Sequence, residues 1–433
     1  MSATTIAVVR GRRVWDSRGR PTVEAEVALE GGVIGRAIAP AGASTGSGEA
    51  LDLRDGGAAF GALDVTRAVA NIGDEITAAL TGMDAAQQAA IDRALIALDG
   101  TENKRRLGAN ATVAVSMATV HAAAAAHHVP LWHWLSGGKG GRLPLPEIQI
   151  FGGGLHAARR VDIQDFMVIC PKARSFAEAL DVTAEIYRAA GALLAERGLL
   201  QGVADEGGYW PAFGSNEEGL DLLVRAIERA GYVPGQDAAI SLDIAASSFG
   251  RAGRYRLALE NRELDTDGLL EMLTRWIDRY PILSVEDPVA EDDAEGFRRF
   301  TTAVGERVQV VGDDFLVTDA ARVHTAAAEG SVTAVLIKPN QAGTLTETKA
   351  ALDAAKAAGL ATIVSARSGE TEDVTIVHLA VGWDAGQLKV GSFARSERMA
   401  KWNEGLRIEE ALTDARFAGQ AAIGFSSSRS ATS

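Results

Sequence analysis

The chain has 433 residues, 47% of them hydrophobic and 23% charged, and a formal net charge of −14. Its length points to two domains, and its composition is that of an ordinary globular protein, neither disordered nor membrane-embedded. The acidic balance argues against nonspecific nucleic-acid binding, which needs a basic face, and it leaves carboxylates free for cations.

The opening "MSATTIAVVRGRR" carries no long apolar segment to act as a signal peptide. "PTVEAEVALEGG" (21–32) alternates apolar and polar residues and ends in paired glycines, which predicts a half-buried antiparallel strand and a turn. "AIAPAGASTGSGEA" (37–50) is a small-residue loop, either a lid or a plain connection. Helical patterns follow near 82–98 and 108–128, and the alanine-rich stretch within 113–126 is too short to span a bilayer. His127, His128 and His133 lack ligand spacing and read as a polar helix end. "SGGKGGRLPLP" (136–146) is the expected domain boundary, without the spacing of a phosphate-binding or dinucleotide loop. The single cysteine, Cys170, follows "FMVI" and reads as a buried inert thiol, which excludes a disulfide framework and a thiolate zinc cluster. A soluble cytoplasmic protein is expected.

Beyond the boundary, apolar runs recur at "AISLDI", "PILSVEDP", "VQVVGDDF", "AVLIKPN", "ATIVSA" and "QLKVG", with helical patterns such as 319–329 and 345–358 between them. Runs spaced by about one strand–helix unit suggest parallel strands covered by helices. Asp243, Glu286, Asp313, Lys338 and Lys389 each stand near the end of such a run. A (β/α)8 barrel gathers those ends on one face, whereas a doubly wound sheet spreads them along an edge.

Three strand-end carboxylates, with no cysteine or clustered histidine, suit Mg²⁺ rather than zinc. Singly, each would serve as well as a cap or an ion-pair partner. Lys338, placed near that charge, is expected to have its pKa depressed by burial and nearby cations, as a general base requires, and an ion pair with Glu286 is the alternative. Lys389 is equally readable as an interior counter-ion. "VADEGGYWP" places Asp205 and Glu206 before paired glycines, and "VDIQDFM" places Gln164 and Asp165 in an apolar frame; facing carboxylates can share a proton and yield a general acid. His156 sits in a glycine-rich loop. In "IVSARSGETED", Arg367 and Ser368 could grip an oxyanion, one as a fork and one as a donor.

Taken in order, "DSRGRPTVEAEV", "AGASTGSGEALDLRDG", "LGANATVAVSMA", "QDFM", "DEGG", "VEDP", "GDDFLVT", "IKPNQAGTLTET", "SGETED" and "ARSERMAKWN" resemble the enolase family over nearly the whole chain. The resemblance implies an N-terminal α+β capping domain (1–140), a modified (β/α)8 TIM-type barrel (141–424) and a disordered tail (425–433). It implies a substrate of the 2-phosphoglycerate or phosphoenolpyruvate type and a homodimer. It also implies two Mg²⁺, the first on Asp243, Glu286 and Asp313 and the second, arriving with substrate, at Ser44. Lys338 would be the base and Lys389 its partner. Glu206 would be the acid, with Asp165 beside it. Arg367 and Ser368 would hold the phosphate, and His156 and Gln164, with Glu286 and Asp313, would complete the substrate contacts.

The chain departs from the family pattern at several positions. Ala366 stands where enolases have a histidine, Asp165 where they have a glutamate, Gly48 where they have a histidine and Ala41 where they have a serine; "IFGGGLHA" lacks the usual asparagine. Smaller groups around a retained metal and lysine set suggest room for a second substrate. The reaction expected on that ground is that of carboxyphosphonoenolpyruvate synthase, joining CMP-activated phosphonoformate to 2-phosphoglycerate. Ordinary enolase is the alternative, and a catalytically weak enolase-fold binding protein the third reading.

Overall fold

The computed structural model describes residues 2–43 and 45–424. Three antiparallel strands open the chain, β1 (Ile6–Trp15), β2 (Pro21–Leu29) and β3 (Ile34–Ile38), in the order β1-β2-β3. The central strand β2 is buried on both faces rather than one. Its outward Glu24 and Glu26 lie under the guanidinium groups of Arg12 and Arg36, which pair with them and exclude water. Helix α1 (Gln88–Asp99) packs against α2 (Ala109–Ala126), which in turn packs against this sheet. Gly35 of β3 allows the close approach of α2, since a Cβ there would lie 2.1 Å from the Ala118 carbonyl oxygen. Helix α2 is long and apolar enough to cross a bilayer, yet it is mostly buried and serves as the core helix of this unit.

The second unit is a closed eight-stranded barrel. Its strands are β4 (Leu145–Gly152), β5 (Asp165–Ile169), β6 (Ala239–Asp243), β7 (Ile282–Glu286), β8 (Gln309–Gly312), β9 (Ala334–Ile337), β10 (Ala361–Ser365) and β11 (Gln387–Gly391), with β11 pairing back to β4. Seven run parallel. β5 runs antiparallel to both of its neighbours, and this modifies the simple alternating barrel. After β5 come two helices, α3 (Phe176–Glu196) and α4 (Asn216–Arg229), with two short strands, Leu200–Val203 and Tyr209–Pro211, between them.

Helix starts are well marked by capping side chains. Asp319 accepts from the Arg322 amide at the head of α5 (Ala320–Glu329), and Thr344 from the Glu347 amide at the head of α6 (Leu345–Ala357). The two units are joined by buried polar contacts. Asp92 of α1, fully buried, accepts from Ser116 Oγ at 2.7 Å and from the Thr346 amide at 2.8 Å, so a carboxylate of the first unit sits at the first turn of a barrel helix.

Candidate active site

Strand register explains why distant motifs meet at one end of the barrel. Asp243 and Glu286 are direct partners across β6 and β7, and Glu286 pairs with Val311, two residues before Asp313. Side chains alternate along a strand, so Val311 and Asp313 share a face. Lys389 pairs with Ser365 across β10 and β11. Because β5 is reversed, its first residue, Asp165, stands opposite Asp243, the last of β6. A motif at a strand start thereby joins motifs at strand ends.

A cavity of about 330 Å³ lies at this mouth. Asp243, Lys338 and Lys389 line it, as do His156, Gln164, Asp165 and Glu206, and Ala366, Arg367 and Ser368. Glu286 and Asp313 stand behind the lysines as their partners. Ser44 lies outside the described residues.

Lys389 Nζ donates to Glu286 Oε2 at 2.7 Å and Asp243 Oδ2 at 2.9 Å, and lies 3.6 Å from Asp165 Oδ2. Burial alone would lower its pKa, but Asp243, Glu286, Asp165 and Glu147 outweigh it and hold the ammonium well above its ordinary value. Burial, with Asp243 and Asp313, pushes Glu286 well above the usual carboxylate range, against the pull of Lys389. Glu286 Oε1 is buried and has no hydrogen-bond partner among the described residues. An orphaned carboxylate oxygen among oxygen donors suits a hard divalent cation. With both lysines paired in between, the ligand atoms of Asp243, Glu286 and Asp313 do not all lie within 4.8 Å of one another.

Lys338 Nζ reaches Asp313 Oδ2 at 2.5 Å. Here the expected depression of its pKa fails, and so does the alternative pairing with Glu286. Burial does lower Lys338, but Asp313 overrides it and keeps the group above its ordinary value. Asp313 Oδ1 accepts from Gln341 Nε2 at 2.9 Å. The carboxylate of Asp287 receives the amides of Asp313 and Asp314, both at 2.9 Å, and these three acidic side chains form a second group able to hold a metal. Burial and Asp313 push Asp314 up to about 8.

Across the cavity, ligand atoms of His156, Asp165 and Glu206 lie within 4.8 Å of one another, with His156 Nε2 3.7 Å from Glu206 Oε1. Glu206 rides in the turn between two short strands, Leu200–Val203 and Tyr209–Pro211. Gly207 must be glycine there, with φ +91° and a would-be Cβ 2.3 Å from the Ala394 carbonyl oxygen. Burial, then Glu206, raises Asp165 to about 7. Burial pushes Glu206 up too, but His156, Arg398 and both lysines hold it below its ordinary value. Two neighbouring carboxyls are thus driven apart. Gln164 Nε2 donates to Asp243 Oδ2 at 3.0 Å, and its Oε1 has no partner among the described residues.

Arg367 is buried, with Nη1 3.0 Å from Glu49 Oε2 and 2.9 Å from Asn340 Oδ1. Ser368 Oγ accepts from Arg18 Nη1 at 3.2 Å. The backbone carbonyls of both residues are held by Arg398, whose guanidinium is completely buried. Asp205, beside Glu206, turns its amide to the His156 carbonyl at 3.2 Å and does not line the cavity.

The sequence reading missed Glu49, Asp287, Gln149, Gln341 and Arg398. Glu49 and Asp287 were visible inside quoted motifs, "GASTGSGEA" and "VEDP", as acidic residues with no stated partner. Gln341 and Arg398 likewise stood inside "IKPNQAGTLTET" and "ARSERMAKWN" without an assigned role, and only Gln149 lay outside the quoted motifs.

The expectation of extra room does not hold at most of the departures. A Cβ at Gly48 would lie 2.2 Å from Arg322 Nη2, so arginine occupies that space. Gln149 donates from Nε2 to the shortened Asp165 and from Oε1 accepts the Gly208 amide at 2.8 Å. Ala41 is closed against Gly369 by two 2.9 Å backbone hydrogen bonds. Of these departures, Ala366 alone lines the cavity.

Comparison with known proteins agrees with that geometry. Residues 6–135 match the family described as "Enolase, N-terminal domain", and residues 141–425 match "Enolase, C-terminal TIM barrel domain". The chain is 48% identical over 415 residues, 95% of each chain, to "Enolase 1" of Desulfitobacterium hafniense (strain Y51). This finding overturns the expectation of carboxyphosphonoenolpyruvate synthase and favours the ordinary-enolase alternative. The α/β architecture, a TIM-type barrel with an N-terminal cap, stands as expected. The chain belongs to the enolase family.

Proposed function

We propose that the protein is a Mg²⁺-dependent enolase that dehydrates 2-phosphoglycerate to phosphoenolpyruvate. The observation that carries the reading is the opposition, across one small cavity, of two buried lysines among carboxylates and a pair of carboxyls with divergent pKa values. Bulk and position suit a three-carbon phosphorylated acid.

In this reading Lys338 removes the proton on C2, beside the substrate carboxylate, and Lys389 places a second positive charge where that carboxylate becomes more anionic. The C3 hydroxyl leaves as water with a proton from the Glu206–Asp165 pair, which together retain one proton near neutral pH because Asp165 is raised to about 7. His156 and Gln164 contact the substrate, and Arg367 with Ser368 receives the phosphate. Asp243, Glu286 and Asp313 would hold Mg²⁺, which would supply positive charge against the developing dianion. With Asp313 serving as a metal ligand, the pull that holds the Lys338 ammonium above its ordinary value would be weakened, as a base requires. A second Mg²⁺ at Ser44, a homodimeric state and a cytoplasmic location go with the reading on the family resemblance.

The test is to mix protein, 2-phosphoglycerate and Mg²⁺ and follow phosphoenolpyruvate by its absorbance. Rapid appearance, abolished by excess EDTA, is expected. Absence of turnover at saturating Mg²⁺ would leave an enolase-fold binding protein and overturn the proposal.

A further inference from the structure

We infer that Glu49 is a positioning residue that sets Arg367 for the substrate phosphate and ties that grip to the metal-side carboxylate Asp313. The inference rests on the enolase reading for the identity of the anion, and its geometry is independent of it.

Glu49 is 5% exposed, and its carboxylate is crowded with donors. Oε2 accepts Arg367 Nη1 at 3.0 Å, and Oε1 accepts Arg367 Nη2 at 3.2 Å, a two-point clasp that fixes the plane of the guanidinium. Oε1 also accepts the Gly46 amide at 3.0 Å and Gln341 Nε2 at 3.3 Å. The same Gln341 nitrogen donates to Asp313 Oδ1 at 2.9 Å. Gln341 Oε1 accepts Thr318 Oγ1 at 2.5 Å, and that hydroxyl oxygen receives the Lys338 amide at 3.0 Å.

One buried carboxylate of the N-terminal unit therefore touches the phosphate grip directly, reaches Asp313 through one side chain, Gln341, and reaches the Lys338 amide through two, Gln341 and Thr318. The 46–50 segment is seated on the barrel by the Ala50 amide, which donates to the Gln341 carbonyl at 2.8 Å. Removing the Glu49 side chain would take away the two-point clasp that fixes the guanidinium plane, with Asn340 still holding Nη1, while an isosteric amide would keep an acceptor in place. Geometry and charge can be separated by those two substitutions.

The experiment measures binding of inorganic phosphate to the Mg²⁺-loaded protein by calorimetry, together with KM and kcat for 2-phosphoglycerate and the melting temperature, in Glu49→Ala and Glu49→Gln. Glu49→Ala should weaken phosphate binding and raise KM by about 10- to 100-fold, with a smaller fall in kcat. Glu49→Gln should restore both to within about threefold of wild type, since its amide oxygen still accepts from Arg367. Equal losses in the two variants, or a lower melting temperature with unchanged phosphate binding, would overturn the inference. Wild-type protein that binds phosphate but turns over no 2-phosphoglycerate would sink the functional reading and leave this one standing. Failure of the wild type to bind phosphate would sink both.

Discussion

Lys389 offers the sharpest test of the charge arrangement at the barrel mouth. It is 6% exposed and neutralises Asp243 and Glu286 at 2.9 and 2.7 Å, with Asp165 at 3.6 Å. Lys389→Met keeps most of the volume and removes the charge, leaving three buried carboxylates around an apolar stem. Breaking a buried pair in this way costs about 3–5 kcal/mol, on the order of 10 °C of melting temperature for a barrel of this size. If these carboxylates form the metal site, Mg²⁺ should repair the variant more than it stabilises the wild type. A ligand at a hundred times its dissociation constant adds about 2.7 kcal/mol, and a cation filling the vacated charge should add more. Melting curves of both proteins at pH 8, in EDTA and in excess Mg²⁺, decide the matter. The deficit should shrink by several degrees in Mg²⁺ while activity stays lost. A deficit equal in both buffers, or below about 1 kcal/mol in EDTA, would refute the reasoning.

Lys338→Ala should abolish exchange of the C2 hydrogen of 2-phosphoglycerate with deuterated water, a loss of about 10²- to 10⁴-fold, and exchange at the wild-type rate would place the base elsewhere. Asp165, raised to about 7 in the fold against an ordinary 3.8, keeps its native-state proton between those values. Its contribution to stability is full below pH 3.8 and lost as pH rises through 7. Asp165→Asn should therefore flatten the decline in stability between pH 4 and 7, and an unchanged slope in pH-dependent denaturation would count against that assignment. Asp92→Ala should cost about 2–4 kcal/mol in denaturant unfolding, because Ser116 Oγ and the Thr346 amide lose a buried acceptor. A change below 1 kcal/mol would mean that water replaces the carboxylate.

Much of the barrel was legible because its strands are short apolar runs that end in charge, and a buried strand cannot end in charge without a reason. The helices expected over 319–329 and 345–358 run over 320–329 and 345–357, with Asp319 and Thr344 capping their starts. The reversed direction of β5 was not legible, since an apolar run looks the same read either way, and neither was the small sheet formed within residues 250–265. The direction of the Lys338 shift was misjudged because the sequence does not show that the Asp313 carboxylate pairs directly with it. The 425–433 tail lies outside the described residues.

The misreading of the reaction has a physical cause. A small residue in a sequence looks like empty space, yet a folded interior is close-packed and neighbours move into what a side chain vacates. Gly48 has Arg322 against it, Asp165 has Gln149, and Ala41 is held edge to edge with Gly369. Each of these three positions is met by a neighbouring group. Lost side chains in an active site signal a new substrate only when the space they leave connects to the cavity. Here that condition holds at Ala366 alone, beside an arginine already clasped by Glu49, and a single opened position is a weak ground for a new reaction against a relative 48% identical over 95% of the chain.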